Sequence, residues 1–255
     1  MRWDAGLYLK FASERTQPSL DLIRRIQIEN PRRIIDIGCG PGNSTEPLWK
    51  QWPEATVAGL DRSPEMIEAA RKTYPERTWL LGDVHSWKAD EPFDLIFSNA
   101  TLQWVSDHET VCRRIFDQVA PGGALAVQMP AHYESPLHGE IVEVSRDPAW
   151  NARMEGARNA LTKHPASFYY DLLGPIASRM DLWETIYYHI VAGPEAVLDW
   201  FRGTGFRPYL EALRSDEERQ QFEALLLDRY KRSYPPRPSG KVLFPFRRLF
   251  FIAYR

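Results

Sequence analysis

The sequence predicts an α/β fold in which helices flank a doubly wound, mainly parallel sheet. Between residues 34 and 129, short apolar runs typical of buried strands alternate five times with longer segments of helical periodicity. The first run, at 34–37, leads into a glycine-dense turn and then into polar residues that suit a helix start. The second run ends in a carboxylate, Asp61. Alternation of this kind favours parallel strands joined by right-handed crossovers.

The elements follow in order along the chain. The first five strands are predicted at 34–37, 55–61, 77–81, 93–100 and 124–129, and helices at 3–11, 13–25, 45–52, after Ser63 and at 109–119. A break is predicted at 120–123, which contains proline and two glycines. Beyond residue 130 the pattern changes to helical patches at 139–145, 150–161, 168–173, 194–203 and 209–230, with strands at 182–191 and 242–254.

Composition narrows the class of protein. The chain has 255 residues, 44% of them hydrophobic, and a formal net charge of −2, which argues against a general nucleic-acid binder and against a polybasic membrane anchor. No run of about 20 apolar residues suggests a membrane span. The two cysteines, Cys39 and Cys112, have no metal-ligand spacing with the six histidines. We therefore predict reduced thiols, no metal and a cytoplasmic location.

The glycine turn predicts a nucleoside-binding loop. Gly38 and Gly40 fit the Gly-x-Gly-x-x-Gly pattern of dinucleotide domains, but the third place falls on Asn43 and Gly42 comes one residue early. Asp61 lies roughly 20 residues further on, where a carboxylate can accept both ribose hydroxyls. Both nicotinamide and S-adenosylmethionine carry such a ribose, so this residue leaves both cofactors open.

The pattern acidic-x-Gly-x-Gly-x-Gly, starting at Asp36, resembles motif I of class I S-adenosylmethionine-dependent methyltransferases. The resemblance implies a Rossmann-like sheet of about seven strands whose last strand is antiparallel. It places Asp36 near the cofactor's ammonium group, and Asp83, in the Gly-Asp pair that follows the third strand, on the adenine. The cofactor residues that it implies are Arg15, Asp36, Gly38, Gly40, Asn43, Asp61, Arg62, Met66, Asp83, Val84 and Asn99, with Tyr8 and Phe11 as further pocket residues.

A narrower resemblance covers nearly the whole chain. Segments 8–11, 40–46, 99–105, 125–130 and above all 203–209 are similar to the trans-aconitate methyltransferase family. This resemblance implies methyl transfer from S-adenosylmethionine to one carboxylate of trans-aconitate, or of a related small polycarboxylic acid. The products are a monomethyl ester and S-adenosylhomocysteine. It also implies a core at 1–130, completed by strands near 182–191 and 242–255, and a helical substrate-binding lid at 131–181 and 192–241.

The chemistry fits these residues. A carboxylate is ionised at pH 7, so we expect no general base and no catalytic side chain. A water-excluding site needs cations for the remaining carboxylates, and the planar guanidinium of arginine suits them. The predicted substrate residues are three such arginines, four aromatic wall residues and two residues at the reaction centre: Arg179, Arg207, Arg248, Trp183, Tyr187, Trp200, Tyr209, Gln103 and Trp104.

Three alternatives stay open. One is a methyltransferase with another small-molecule acceptor. The second is a nicotinamide-dependent oxidoreductase, against which Asn43 and the additional Asp83 count. The third is a non-catalytic protein of the same fold. We expect a monomer with no nucleic-acid or membrane partner.

Overall fold

The computed structural model describes residues 12–255, with side chains from Thr16 onward, so the predicted helix at 3–11 lies outside the described residues. Within this part of the chain the α/β prediction is confirmed. One seven-stranded sheet has the order β3-β2-β1-β4-β5-β7-β6. Its strands are β1 (Arg33–Ile37), β2 (Thr56–Asp61), β3 (Thr78–Leu81), β4 (Phe93–Asn99), β5 (Val119–Pro130), β6 (Arg179–Val191) and β7 (Val242–Tyr254).

The helices follow the predicted alternation in the first half except between β3 and β4, where residues 82–92 form turns and no helix. Most of the helices lie in the second half. They are α1 (Ala12–Arg25), α2 (Glu46–Gln51), α3 (Pro64–Thr73), α4 (His108–Phe116), α5 (Pro136–Val144), α6 (Glu155–Arg158), α7 (Ala166–Leu173), α8 (Pro194–Arg202), α9 (Arg207–Ala212) and α10 (Asp216–Ser233). Short 3-10 helices span Leu102–Trp104 and Asn151–Arg153.

Strand β1 lies inside the sheet, and its three isoleucines are buried. Ile34, Ile35 and Ile37 are at most 1% exposed, as expected of a strand that is covered on both faces. The strand pairs in parallel with β2 on one side and with β4 on the other. Strands β3 and β5 continue the parallel sheet outward.

The last strand runs antiparallel, as the resemblance implied. The amide of Gly122 donates to the carbonyl of Arg255 at 2.9 Å, and the amide of Arg255 donates to the carbonyl of Gly123 at 3.0 Å. A reciprocal pair between the start of β5 and the residue after β7 requires opposite strand directions.

Three predicted elements differ from the structure. The expected break at 120–123 lies inside β5, where Val119 pairs with Phe93 and Ala124 already pairs with Leu95, so that the extra residues form a bulge. The helix predicted at 209–230 is two helices, because Ser215 caps a new helix by accepting a hydrogen bond from the amide of Glu218. Of the helix predicted at 150–161, only the 3-10 turn and α6 form.

The described chain divides into two compact units. Unit 1 contains the residues up to Pro130 together with His164–Glu184 and Leu249–Arg255, and unit 2 contains Ala131–Lys163 and Thr185–Arg248. Unit 1 holds most of the sheet, and unit 2 is largely helical. Among the described helices, none has the length and apolar character needed to cross a bilayer.

Candidate active site

The candidate site lies in unit 1, where the strand order of the sheet reverses. Strands β1 and β4 are neighbours and their chain connections leave in opposite directions, so a crevice opens beyond their carboxyl ends. A pocket at this place is lined by residues that end or follow β1, β2, β3 and β4: Ile37, Gly38, Cys39, Gly40, Pro41, Asn43, Ser44, Leu60, Asp61, Arg62, Met66, Gly82, Asp83, Val84, His85, Asn99, Ala100, Thr101, Trp104 and Val105.

Nine of the predicted cofactor residues meet in this pocket. They are Gly38, Gly40, Asn43, Asp61, Arg62, Met66, Asp83, Val84 and Asn99, and the predicted substrate residue Trp104 joins them. Asp36 and Gln103 are not among the lining residues, and the side chain of Arg15 lies outside the described residues.

The glycine loop has a left-handed backbone and packs closely against the segment that follows β4. Gly38 has φ +76°, and a Cβ atom there would come within 2.1 Å of the side chain of Thr101. The Thr101 hydroxyl in turn donates to the carbonyl of Gly38 at 3.1 Å. The segments that follow β1 and β4 are thus fastened together, which requires glycine at position 38.

Asp61 is held rigidly at the end of β2. One carboxylate oxygen accepts a hydrogen bond from the amide of Gly40 at 2.9 Å, and the other accepts one from the amide of Ser63 at 2.9 Å. Ser63, as predicted, begins α3, since its hydroxyl accepts from the amide of Met66. Each Asp61 oxygen keeps acceptor capacity for a further donor, such as a ligand hydroxyl.

Asp83, in the turn after β3, has a hydrogen-bond partner, His85, that the sequence did not predict. Its carboxylate accepts from the amide of His85 at 2.9 Å and lies 2.8 Å from the His85 ring nitrogen Nδ1. The other ring nitrogen of His85 contacts the hydroxyl of Ser106 at 3.2 Å. These contacts with His85 lower the pKa of Asp83, so its carboxylate is ionised near neutral pH.

Asp36 lies behind the loop, fully buried. One of its oxygens accepts hydrogen bonds from the hydroxyls of Ser44 (2.6 Å) and Thr45 (2.7 Å), which stabilises the turn into α2. Burial outweighs these bonds and raises the pKa of Asp36 to about 6. Its second oxygen is buried without a hydrogen-bond donor in the described part of the chain.

The 3-10 turn after β4 carries both residues predicted at the reaction centre. Trp104 lines the pocket, whereas Gln103 is 5% exposed and donates to the carbonyl of Ala100 at 2.6 Å. The buried His108 supports this turn, because its Nε2 lies 2.7 Å from the carbonyl of Leu102 and its Nδ1 lies 2.7 Å from the Tyr169 hydroxyl.

The remaining predicted substrate residues lie elsewhere. In unit 1, Arg179 is exposed over the ring of Tyr254, and Trp183 stacks on Phe250 with centroids 4.8 Å apart. Neither belongs to the lining of the pocket.

In unit 2, Arg248 packs over Phe246 at 4.7 Å and faces Tyr187 at 5.9 Å. Arg207 begins α9 and lies 3.7 Å from Glu211.

Two predicted wall residues are core residues of unit 2. Trp200 and Tyr209 are each 2% exposed, Trp200 against His189 and Tyr209 against Phe222. Their size and aromatic character are accounted for by packing, and a contact with substrate stays a prediction.

Two observations limit other kinds of chemistry. Both cysteines are free and buried, and burial raises the pKa of each thiol far above its usual range for Cys39 and to about 12 for Cys112. Neither is therefore a thiolate nucleophile. Within the described residues, no group of histidine, cysteine or carboxylate side chains is arranged to hold a metal ion.

Known proteins resemble this chain along its full length. A family model described as a methyltransferase domain matches residues 34–123. Relatives named trans-aconitate 2-methyltransferase include one from Azoarcus sp. (strain BH72), 44% identical over 99% of both chains. Another, from Methylobacterium nodulans, is 42% identical over 99% of this chain and 98% of its own.

Two solved structures share the fold. The YcgJ protein of Bacillus subtilis superposes with a TM-score of 0.61 at 16% identity, over 94% of this chain and 98% of its own. Phosphoethanolamine N-methyltransferase 2 of Haemonchus contortus, in complex with S-adenosyl-L-methionine, has a TM-score of 0.58 at 16% identity, over 94% of this chain and 52% of its own. Structural similarity at 16% identity shows only a shared fold. Sequence identities of 42% and 44% over 99% of the chain show the family as well. The chain belongs to the trans-aconitate 2-methyltransferase family.

Proposed function

We propose that this protein transfers the methyl group of S-adenosylmethionine to a carboxylate of trans-aconitate and releases the monomethyl ester and S-adenosylhomocysteine. The observation that carries the proposal is the pocket at the ends of β1 to β4, where Asp61 and Asp83 face a left-handed glycine loop. It occurs in a chain that aligns from end to end with relatives of that name.

The residues present fit the cofactor. Asp61 offers two oxygens to ribose hydroxyls, and Asp83 offers an ionised carboxylate to an amino group. Asn99 lines the pocket, and its Oδ1 is buried with no donor in the described chain, which leaves an acceptor for a ligand. Met66, 5% exposed, adds an apolar lining residue.

The chain has little bond chemistry to perform. S-adenosylmethionine, when bound, supplies an electrophilic methyl group on a sulfonium. The attacking carboxylate is already ionised at pH 7, so no side chain has to remove a proton. The protein positions the acceptor and excludes water, and positioning alone is worth up to roughly 7–11 kcal/mol in favourable cases. The lowered pKa of the buried His108, which burial causes, keeps that ring neutral and suits a supporting role for the Trp104 turn.

For the other carboxylates of the substrate we propose Arg207 and Arg248 in unit 2 and Arg179 in unit 1. Arg207 is the best test, because its side chain is only 11% exposed and it lies in segment 203–209, on which the narrower resemblance mainly rests. Arg207→Ala is expected to raise the KM for trans-aconitate and to leave the affinity for S-adenosylmethionine unchanged. Steady-state kinetics with calorimetry of the cofactor checks this, and an unaltered KM would remove Arg207 from the substrate site.

The function is tested by mass spectrometry after the protein is mixed with trans-aconitate and S-adenosylmethionine that carries a deuterated methyl group. A labelled monomethyl ester and an equal amount of S-adenosylhomocysteine are expected. Asp61→Asn is the matched control. The amide has one hydrogen-bond acceptor fewer for the ribose, so it should weaken cofactor binding and leave the site for the methyl acceptor unchanged. Ester formation from other organic acids but not from trans-aconitate would show that the substrate is a different carboxylic acid. Cofactor turnover without any ester would refute carboxyl transfer.

We also propose that the protein acts in the cytoplasm as a monomer. Both described cysteines are free, as is usual in a reducing compartment. Sedimentation analysis of the purified protein tests the oligomeric state.

A further inference from the structure

A cleft in unit 2 contains a basic centre that sequence reasoning did not single out. Lys163 follows α6, and its ammonium group lies 2.6 Å from Nε2 of His138, on α5. The same ammonium lies 5.2 Å from the centre of the Tyr133 ring. All three residues line the cleft. We call Lys163, His138 and Tyr133 the lysine cleft.

The acidic residues of this cleft do not neutralise Lys163. Each glutamate of the lining lies beside an arginine: Glu134 with Arg247 at 3.6 Å, Glu140 with Arg229 at 2.9 Å and Glu143 with Arg146 at 2.6 Å. Lys163 makes no ion pair within the described chain, and its polar partner there is Nε2 of His138. Burial lowers the pKa of Lys163 from its usual value, which is the electrostatic cost of a half-buried cation without an anion.

A second histidine near the lysine cleft, His132, is also buried without a compensating partner among the described residues. His132 is 5% exposed, and both of its ring nitrogens lack a hydrogen-bond partner in the described part of the chain. Its ring packs 4.5 Å from Phe246 and 6.3 Å from His138. The pKa of His132 is lowered well below its usual value by burial first, and then by the charges of His138, Arg248 and Lys163. Burial, with Lys163 next, lowers the pKa of His138 to about 4.

We propose that the lysine cleft binds a carboxylate of the polycarboxylate substrate, with Lys163 as the charged donor and His138 as the residue that holds the ammonium in place. The inference rests on the proposed function, because it assigns one carboxylate of that substrate. His138 accepts one ammonium proton, so two Lys163 protons remain for an anion. An incoming carboxylate supplies the negative charge that the cleft lacks. A hydrogen bond between two charged groups is about twice as strong as one between neutral groups.

Lys163→Met tests the assignment, since it keeps the apolar stem and removes the charge. The affinity for trans-aconitate, measured by calorimetry in the presence of S-adenosylhomocysteine, is expected to fall about tenfold or more, the scale of one charge-assisted hydrogen bond. KM should rise accordingly, whereas kcat and the affinity for S-adenosylhomocysteine stay constant. Lys163→Arg should restore most of the binding. Lys241→Met, at an exposed lysine of the same unit, is the matched control and should change nothing.

A measurement on the unmodified protein keeps the test independent of mutant folding. Addition of trans-aconitate should shift the imidazole proton resonances of His138, assigned by comparison with His138→Gln, and raise the pKa of that ring, because an anion favours the protonated form. Unshifted resonances, or equal affinities of Lys163→Met and Lys241→Met, would overturn the inference. If the unmodified protein makes the ester and Lys163→Met has an unaltered KM, only the lysine cleft is refuted. Absence of ester from the unmodified protein refutes the proposed function instead.

Discussion

Asp36 organises the turn into α2 at an electrostatic cost. Its carboxylate organises the turn into α2 through Ser44 and Thr45. It does so at full burial, and therefore with a pKa raised from 3.8 to about 6. At neutral pH the fold thus holds a charged group that its surroundings solvate poorly. Such residues are frequent at functional sites. A contact between Asp36 and the ammonium group of the cofactor stays a prediction, because the carboxylate is buried and is not among the residues that line the pocket.

The cost of this charge can be measured. Because the folded-state pKa lies above the unfolded one, the contribution of Asp36 to stability is full below about pH 4 and is lost as the pH rises through 6. The shift corresponds to roughly 3 kcal/mol. Asp36→Asn does not titrate, so between pH 4.5 and 7.5 its unfolding free energy should gain about 2 kcal/mol on that of the unmodified protein. Urea denaturation without cofactor at the two pH values checks this, and an identical pH dependence of both proteins would show that Asp36 bears no such cost.

At the scale of elements, the glycine loop depends on contacts with two strands. The amides of Gly38 and Cys39 donate to the carbonyl of Leu60 at the end of β2, at 2.7 and 3.1 Å. Thr101, after β4, closes over Gly38 from the other side. The loop conformation is therefore imposed by neighbouring elements as much as by its own sequence.

Two alanine substitutions separate these effects. Gly40 has φ +54°, and a Cβ atom added there would meet open space, so Gly40→Ala should cost only the backbone strain, about 1–2 kcal/mol. Gly38→Ala adds the overlap with Thr101 and should cost about 3–4 kcal/mol in all. Chemical denaturation without cofactor measures both. Equal losses would mean that Thr101 moves away freely and that the two segments are not fastened together.

Local patterns predicted the strands well, since a buried parallel strand is a short apolar run whatever surrounds it. The bulge in β5 was not predictable, because it depends on pairing with Phe93 on one side and Arg255 on the other. The split of the 209–230 helix was predictable in principle. Ser215 with Glu218 three residues later is a capping-box pattern that the continuous helical periodicity concealed.

Some residues of the site could likewise be predicted from local sequence, and others could not. Asp61, Asp83 and Asn99 directly follow or end strands, so their meeting in one pocket follows from the parallel sheet. His85 and Thr101 belong to connections whose paths local sequence does not determine. Lys163 was not predicted because it lies between short helical segments that prolines interrupt. There the periodicity of the sequence does not indicate which way a side chain points.

At the scale of the whole molecule, a formal net charge of −2 does not prevent the binding of an anionic substrate. The field that matters is local, since charges beyond about 8–10 Å are screened at physiological salt. Unit 2 concentrates Lys163 and Arg248 around buried histidines, which is where an organic anion gains most. The recognition of a polycarboxylate that we propose depends on a few buried or half-buried cations rather than on overall charge.

Ligand-induced stabilisation tests the cofactor assignment on the intact chain. A ligand that binds only the folded state at 100 times its Kd adds about 2.7 kcal/mol to the free energy of unfolding. For a chain of this size that corresponds to a rise in Tm of about 5–11 °C. S-adenosylmethionine and S-adenosylhomocysteine are each expected to produce a shift of this order, and NAD at the same concentration none, because the third glycine position holds Asn43. Asp61→Asn should reduce the shift, since the pocket loses an acceptor at the ribose. A larger shift with NAD than with S-adenosylmethionine would instead indicate a dinucleotide-binding pocket.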